Sequence, residues 1–162
     1  MKNYSLKKLI NALERGKSAR VHVGILGDSK PRKGKGLSNA EIGARHEFGV
    51  GVPQRSFLRM PLETRLRGEI EKSGTGRFNS YTMRLVLQAG SSKILLERLG
   101  KCAEFVIADA FGTEGFGTWA PWSETTRRIK AEKVAAGKIN TLQILVESQQ
   151  LRNSILSEVV GG

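Results

Sequence analysis

The chain has 162 residues, 39% of them hydrophobic and 6% aromatic, and carries a formal net charge of +12. One domain is the simplest reading of that length, which suffices to bury roughly 70% of the unfolded surface without staples. A single cysteine, Cys102, excludes an internal disulfide and a cysteine-rich metal site, and no apolar run reaches the ~18 residues of a membrane span.

The charge makes a polyanion partner plausible. It is uneven: residues 1–37 hold ten Lys or Arg against two acids, Glu14 and Asp28. The first residues, MKNYSLKKLINALERG, are too charged beyond Leu9 for a signal peptide, so synthesis in the cytosol is expected.

Ser5 to Glu14 places Leu6, Ile10 and Leu13 on one face with lysines opposite, the pattern of a short amphipathic helix ending near Gly16. Arg20 to Leu26 alternates, with Val21, Val23 and Ile25 on one side, which predicts a half-buried strand. GDSKPRKGKG follows. Its four basic residues, Lys30, Arg32, Lys33 and Lys35, have no apolar anchor, and a mobile basic loop is expected over 27–37.

Ser38 and Glu41 form a capping box, with Leu37 and Ile42 at the staple positions. A helix over Asn39 to Phe48 should present Ala40, Ala44 and Phe48 as a stripe and end at a left-handed Gly49. Val50 to Pro53 should be extended. A helix restarting near Arg59 tolerates Pro61 in its first turn and spaces Leu58, Leu62, Leu66 and Ile70 by four.

Lys72 to Asn79 reads as a loop, and Tyr81 to Leu87 is ambiguous between strand and helix. Ser91 to Phe111 is the longest helical pattern, with Leu95, Leu99, Cys102, Val106 and Ala110 as its stripe. GTEGFGTWAPW leads to Ser123, which can cap a basic helix over Glu124 to Ala136. Leu142 to Val146 is a short apolar run, and Ile155 to Val160 suits a closing strand.

His46-Glu47 is the first candidate for chemistry. A helical zinc motif needs a second histidine four residues on, and that position is Val50. The other histidine, His22, lies in a strand. No G-x-S-x-G elbow and no P-loop pattern occur, so neither a hydrolase nor a phosphate cradle has local support. No catalytic residue, metal ligand or cofactor is assigned. Phosphate contact by the basic loop competes with a purely solvated loop. Trp119 and Trp122, flanking Pro121, suit either a buried anchor or a stacking platform.

Three segments carry a resemblance. ARHEFGVGVPQRSFL, continued by Arg59, resembles a signature of small virion proteins of tailed bacteriophages and prophages, the tail-completion or neck proteins, also described as virion morphogenesis or minor tail proteins. Glu47, Phe48, Gly49, Pro53, Arg55, Phe57, Leu58 and Arg59 match it. Trp122-Ser123, with Thr125 or Thr126, Arg128 and Lys130, resembles that family's L-S-x-x-T-x-x-R-K. ILVESQQLRNSILSEV, Ile144 to Val159, resembles L-I-D-T-G-x-L-R-x-S-I-x-x-x-V. The chain departs where the family has proline (here Ser56), the acidic residue (here Glu147) and Thr-Gly (here Ser148-Gln149).

The resemblance implies a non-enzymatic structural protein at the head-tail junction or upper tail. It would form a ring, hexameric or alternatively dodecameric, touching other neck, connector and tail proteins. It would be made in the host bacterial cytoplasm and end in the virion, with no membrane. Phe48 and Phe57 would pack the corner inward, with Gly49, Pro53 and Leu58 shaping it. Glu47, Arg55 and Arg59 would stay near the surface and act across subunit contacts. Lys30, Arg32, Lys33 and Lys35 would touch genomic DNA or an acidic partner. The rival reading is a stand-alone basic nucleic-acid-binding protein. The expected fold is α+β: a small, mostly antiparallel sheet with helices on one side and long loops.

Overall fold

The computed structural model describes residues 6–27, 32, 36–72, 79–146 and 149–161. The fold is α+β, with helices packed on one face of a small antiparallel sheet. In chain order the elements are α1 (Leu6–Arg15), β1 (Arg20–Ile25), α2 (Asn39–Phe48), α3 (Arg59–Glu71), α4 (Ser80–Ala89), α5 (Lys93–Gly112), α6 (Glu124–Ala135), α7 (Gln150–Asn153) and β2 (Ile155–Val160).

The two strands pair from Arg20 opposite Val160 to Ile25 opposite Ile155, joining the two ends of the chain. Alternation decides which face is covered. Arg20, His22, Leu156, Glu158 and Val160 are exposed, while Val21, Val23 and Val159 turn toward α5. Helix α5 touches both strands as well as α3 and α4. It approaches the sheet closely because residue 100 is glycine: a Cβ there would lie 2.5 Å from Ser157 Oγ. One turn on, Glu104 accepts the Ser157 amide at 2.8 Å and its hydroxyl at 2.6 Å, pinning helix to strand.

The buried face of α5 carries Cys102, Ala103, Val106, Ile107, Ala110 and Phe111; of the predicted stripe Cys102, Val106 and Ala110 are buried, and Leu95 and Leu99 half-buried. The main core lies toward its C-terminal end, where Phe57, Phe111 and Trp119 meet Ile144, Val146, Leu151 and Ile155. Phe57 and Phe111 are 5.2 Å apart between centroids, and Trp119 meets Phe111 edge-on at 5.7 Å. Trp119 is therefore a buried anchor.

The ambiguous Tyr81 to Leu87 stretch is helical, within α4. Asn79 accepts the Thr82 amide as its N-cap, and Gly90 closes the helix in the left-handed region. In α1 the expected apolar face is only half covered. Ala12 is buried, whereas Ile10 and Leu13 each remain 45% exposed on this helix, which packs against α4. Among the described residues, no helix is long and apolar enough to cross a membrane.

Candidate functional site

The capping box of α2 forms as the sequence predicts: Ser38 Oγ accepts the Glu41 amide at 3.1 Å, and Glu41 Oε2 accepts the Ser38 amide at 2.8 Å. Gly49 ends the helix in the left-handed conformation. The inward face differs from the expected stripe. Gly43 and Glu47 are buried, whereas Ala44 is exposed and Phe48 is 69% exposed. Gly43 sets that rotation, since a Cβ there would sit 2.6 Å from Ile25 Cδ1 and 3.2 Å from Phe57 Cζ. Only glycine lets the strand and the Phe57 ring come this close.

Turning Gly43 inward turns Glu47 inward one helical turn later. Its carboxylate lies at the start of α3, where the N-cap residue Leu58 supplies no side-chain acceptor. Glu47 Oε2 accepts the amides of Phe57 and Leu58, both at 2.9 Å. Oε1 accepts the Arg59 amide at 3.1 Å and the Ser56 hydroxyl at 2.6 Å. Ser56 Oγ in turn accepts the Met60 amide at 3.0 Å. A carboxylate from one helix thus caps the next, and it is stabilised by several donors and by the positive end of the α3 dipole. The Arg55 amide donates to His46 O at 2.7 Å and closes the loop between the two helices.

Arg55 is also interior, at 2% exposure. Its Nε and Nη2 donate to Ala120 O at 3.1 and 2.9 Å, and its guanidinium stands 4.6 Å from the Trp122 ring centre. Burial pushes its pKa down, opposed by the negative charge of Glu114. Trp119 Nε1 donates to Ser56 O at 3.3 Å and Trp122 Nε1 to Leu142 O at 3.1 Å. The Ser123 hydroxyl accepts the Thr126 amide and caps α6, and Lys130, one helical turn further, lies 5.2 Å from the Trp122 ring centre.

Three expectations are corrected. Glu47 and Arg55 are not surface residues available to a neighbour: the amides of α3 and the Ala120 carbonyl, out of reach to sequence periodicity, hold them inside. Phe48 does not pack inward, because the Gly43–Glu47 face takes that place. Phe57 is fully buried as expected, Leu58 packs partly against the core, and Pro53 and Arg59 are exposed. Of the basic loop, Lys30, Lys33 and Lys35 lie outside the described residues. Arg32 donates from Nε to Asn39 Oδ1 at 2.7 Å.

His46 is partly buried and lines a cleft between α2 and α6. Burial, then the charge of Arg55, lowers its pKa, and its Nδ1 has no hydrogen-bond partner among the described residues. His22 stands on the exposed face of the sheet, 3.9 Å from Glu158. Among the described residues no three His, Cys, Asp or Glu side chains are grouped as metal ligands. Lys138 and Ile139, which line the same cleft, carry no motif and were invisible in the sequence. No family model, curated protein or solved structure matches the chain.

Proposed function

We propose that this chain is a non-enzymatic structural protein of a tailed bacteriophage or prophage particle, acting at the head-tail junction or upper tail as a ring that completes or joins the tail. The observation supporting this reading is the convergence of the three neck-like segments on one joint. Arg55 of the first stacks on Trp122 of the second, and Leu151 of the third lies 3.6 Å from where a Gly43 Cβ would stand, beside the first. Such segments, far apart in the chain, share a role in building one shape. Glu47 is taken up by the α3 cap and Arg55 by the Ala120 carbonyl, which leaves the Glu47 carboxylate poorly suited to turnover.

The departures fit the same reading. Where the family has glycine, Gln149 holds a left-handed φ of 54°, a conformation that glycine adopts without strain. Where the family has proline, the Ser56 hydroxyl adds a bond to Glu47. A ring contact would be heterologous, and the exposed Phe48 and Val50 beside the Gly49 turn offer it apolar surface.

Deleting the gene from its phage or prophage and imaging the lysate by electron microscopy tests the proposal. Heads and tails that remain unjoined, or tails of abnormal length, are expected, with rescue by the gene in trans. Normal infectious particles without the protein would overturn it. The alternative, a stand-alone nucleic-acid-binding protein, draws on the exposed Arg127, Arg128 and Lys133 of α6. It predicts tight, salt-sensitive DNA binding by the isolated chain.

A further inference from the structure

Between α2, α6 and the segment leading to α7 lies a cleft of about 720 Å³. Arg32, Lys130 and Lys138 line it, and none of its described lining residues is acidic. The lining also carries apolar side chains, Ile42, Ile139, Leu145 and Leu151, beside the polar His46 and Gln150. Lys130 is partly withdrawn from water. That burial pushes its pKa down, and nearby Lys133 pushes it the same way. An anion placed in the cleft would offset both effects.

We propose that this cleft docks an acidic segment of a partner protein, with carboxylates flanking a large apolar side chain. Charge complementarity calls for an anion. The apolar walls distinguish which anion, because a phosphodiester backbone gains nothing from Ile139 or Leu145, whereas an apolar side chain buried there gains in proportion to its area. Nucleic-acid bases are disfavoured for another reason: the Trp122 ring is already engaged by Arg55 at 4.6 Å and Lys130 at 5.2 Å. Stacking on a base would compete with those contacts. The inference holds for the isolated chain and does not depend on the head-tail reading.

Fluorescence anisotropy with the labelled peptide EEFLEE, on the full chain, tests it. Comparison probes are EEGGEE and a short labelled duplex DNA. The double variant K130E/K138E is compared with R84E/K93E, which makes the same change in net charge at exposed positions outside the cleft. Expected results are saturable binding of EEFLEE, a loss of at least about tenfold in K130E/K138E but not in R84E/K93E, and binding of EEGGEE weaker by about fivefold or more. K130A/K138A gives a smaller loss of the same sign. No binding to the wild-type chain, equal losses in the two double variants, or equal affinity for EEGGEE would overturn the proposal. So would duplex DNA that binds more tightly than EEFLEE and loses affinity in K130E/K138E.

Discussion

The Glu47 carboxylate accepts the backbone amide of Phe57 at 2.9 Å, ten residues along the chain, and so ties the end of one helix to the start of the next. It also takes the amides of Leu58 and Arg59 and the Ser56 hydroxyl. Glu47→Ala orphans these donors in a buried place. An uncompensated buried donor or a lost cap costs about 1–3 kcal/mol, so a total of about 2–4 kcal/mol is expected from urea denaturation. Glu47→Gln keeps an acceptor and should cost less. A Glu47→Ala chain as stable as wild type would show that the capping is idle.

Arg55 joins the corner to the 113–122 loop through Ala120 O and Trp122. Arg55→Ala is therefore expected to destabilise the monomer by about 2–3 kcal/mol, since hydrogen bonds from charged groups contribute about 1.5–3 kcal/mol. Lysine cannot reproduce the forked donation from Nε and Nη2, so Arg55→Lys should recover less than half. Denaturant midpoints, together with the near-ultraviolet dichroism of Trp122, measure this. An unaltered midpoint would return Arg55 to a role outside the monomer.

Much of the frame was legible because it is written in local chemistry. The Ser38–Glu41 box, the Gly49 and Ser123 caps, Pro61 in the first turn of α3 and the stripe of α5 each depend on residues a few positions apart. The pairing of β1 with β2 was foreshadowed only as one alternating stretch and a closing strand near the end of the sequence. What escaped was the rotation of α2. Hydrophobic periodicity favours Ala40, Ala44 and Phe48, but the interior accepts Gly43 for its lack of a side chain and Glu47 for its acceptors. Arg55 was unreadable for the same reason, as its partner is a carbonyl 65 residues away.

Two glycines inside helices should respond oppositely to alanine. In α3, Gly68 has nothing within 4 Å of an added Cβ, and Gly68→Ala should stabilise by about 0.5–1 kcal/mol through helix propensity. In α2, Gly43→Ala gains the same propensity but drives Ile25 Cδ1 away and crowds Phe57, which is wedged against Phe111. Overpacking costs about 1–3 kcal/mol, so a net loss of about 1 kcal/mol is expected. Thermal melts of the two variants decide the signs.

His46 titrates below its ordinary value, first because it is withdrawn from water and then because of the Arg55 charge. From the unfolded pKa of about 6.5 down to the lower folded one, the unfolded chain holds more protons. Unfolding free energy then rises with pH across that window. The contribution is complete above the unfolded value and is lost as pH falls through the folded one. Replacing the imidazole in His46→Gln removes this slope. Denaturant midpoints for both chains, from about pH 8 to about pH 5, should converge or cross as the solution is acidified. Parallel curves would mean that His46 feels no such burial.

Gln149 holds φ at 54° immediately before α7, with its carbonyl accepting the Asn153 amide at 2.9 Å. A left-handed conformation costs a side-chain-bearing residue about 1–2 kcal/mol, because Cβ crowds the following carbonyl. Gln149 is exposed, so truncating its side chain removes little packing. Gln149→Gly relieves the crowding but loosens the unfolded chain, which takes back part of the gain. A net stabilisation of about 0.5–1 kcal/mol is expected, a rise in Tm of about 1–4 °C for a chain of this size. Gln149→Ala retains the Cβ and should leave Tm nearly unchanged. Gln149→Val, β-branched, should lower it by several degrees. That ordering (Gly above Ala, Ala above Val) isolates backbone strain from side-chain contacts. If Gln149→Gly instead lowers Tm while Gln149→Ala does not, flexibility at this turn outweighs strain, and the proposed likeness to the neck-protein glycine loses this support.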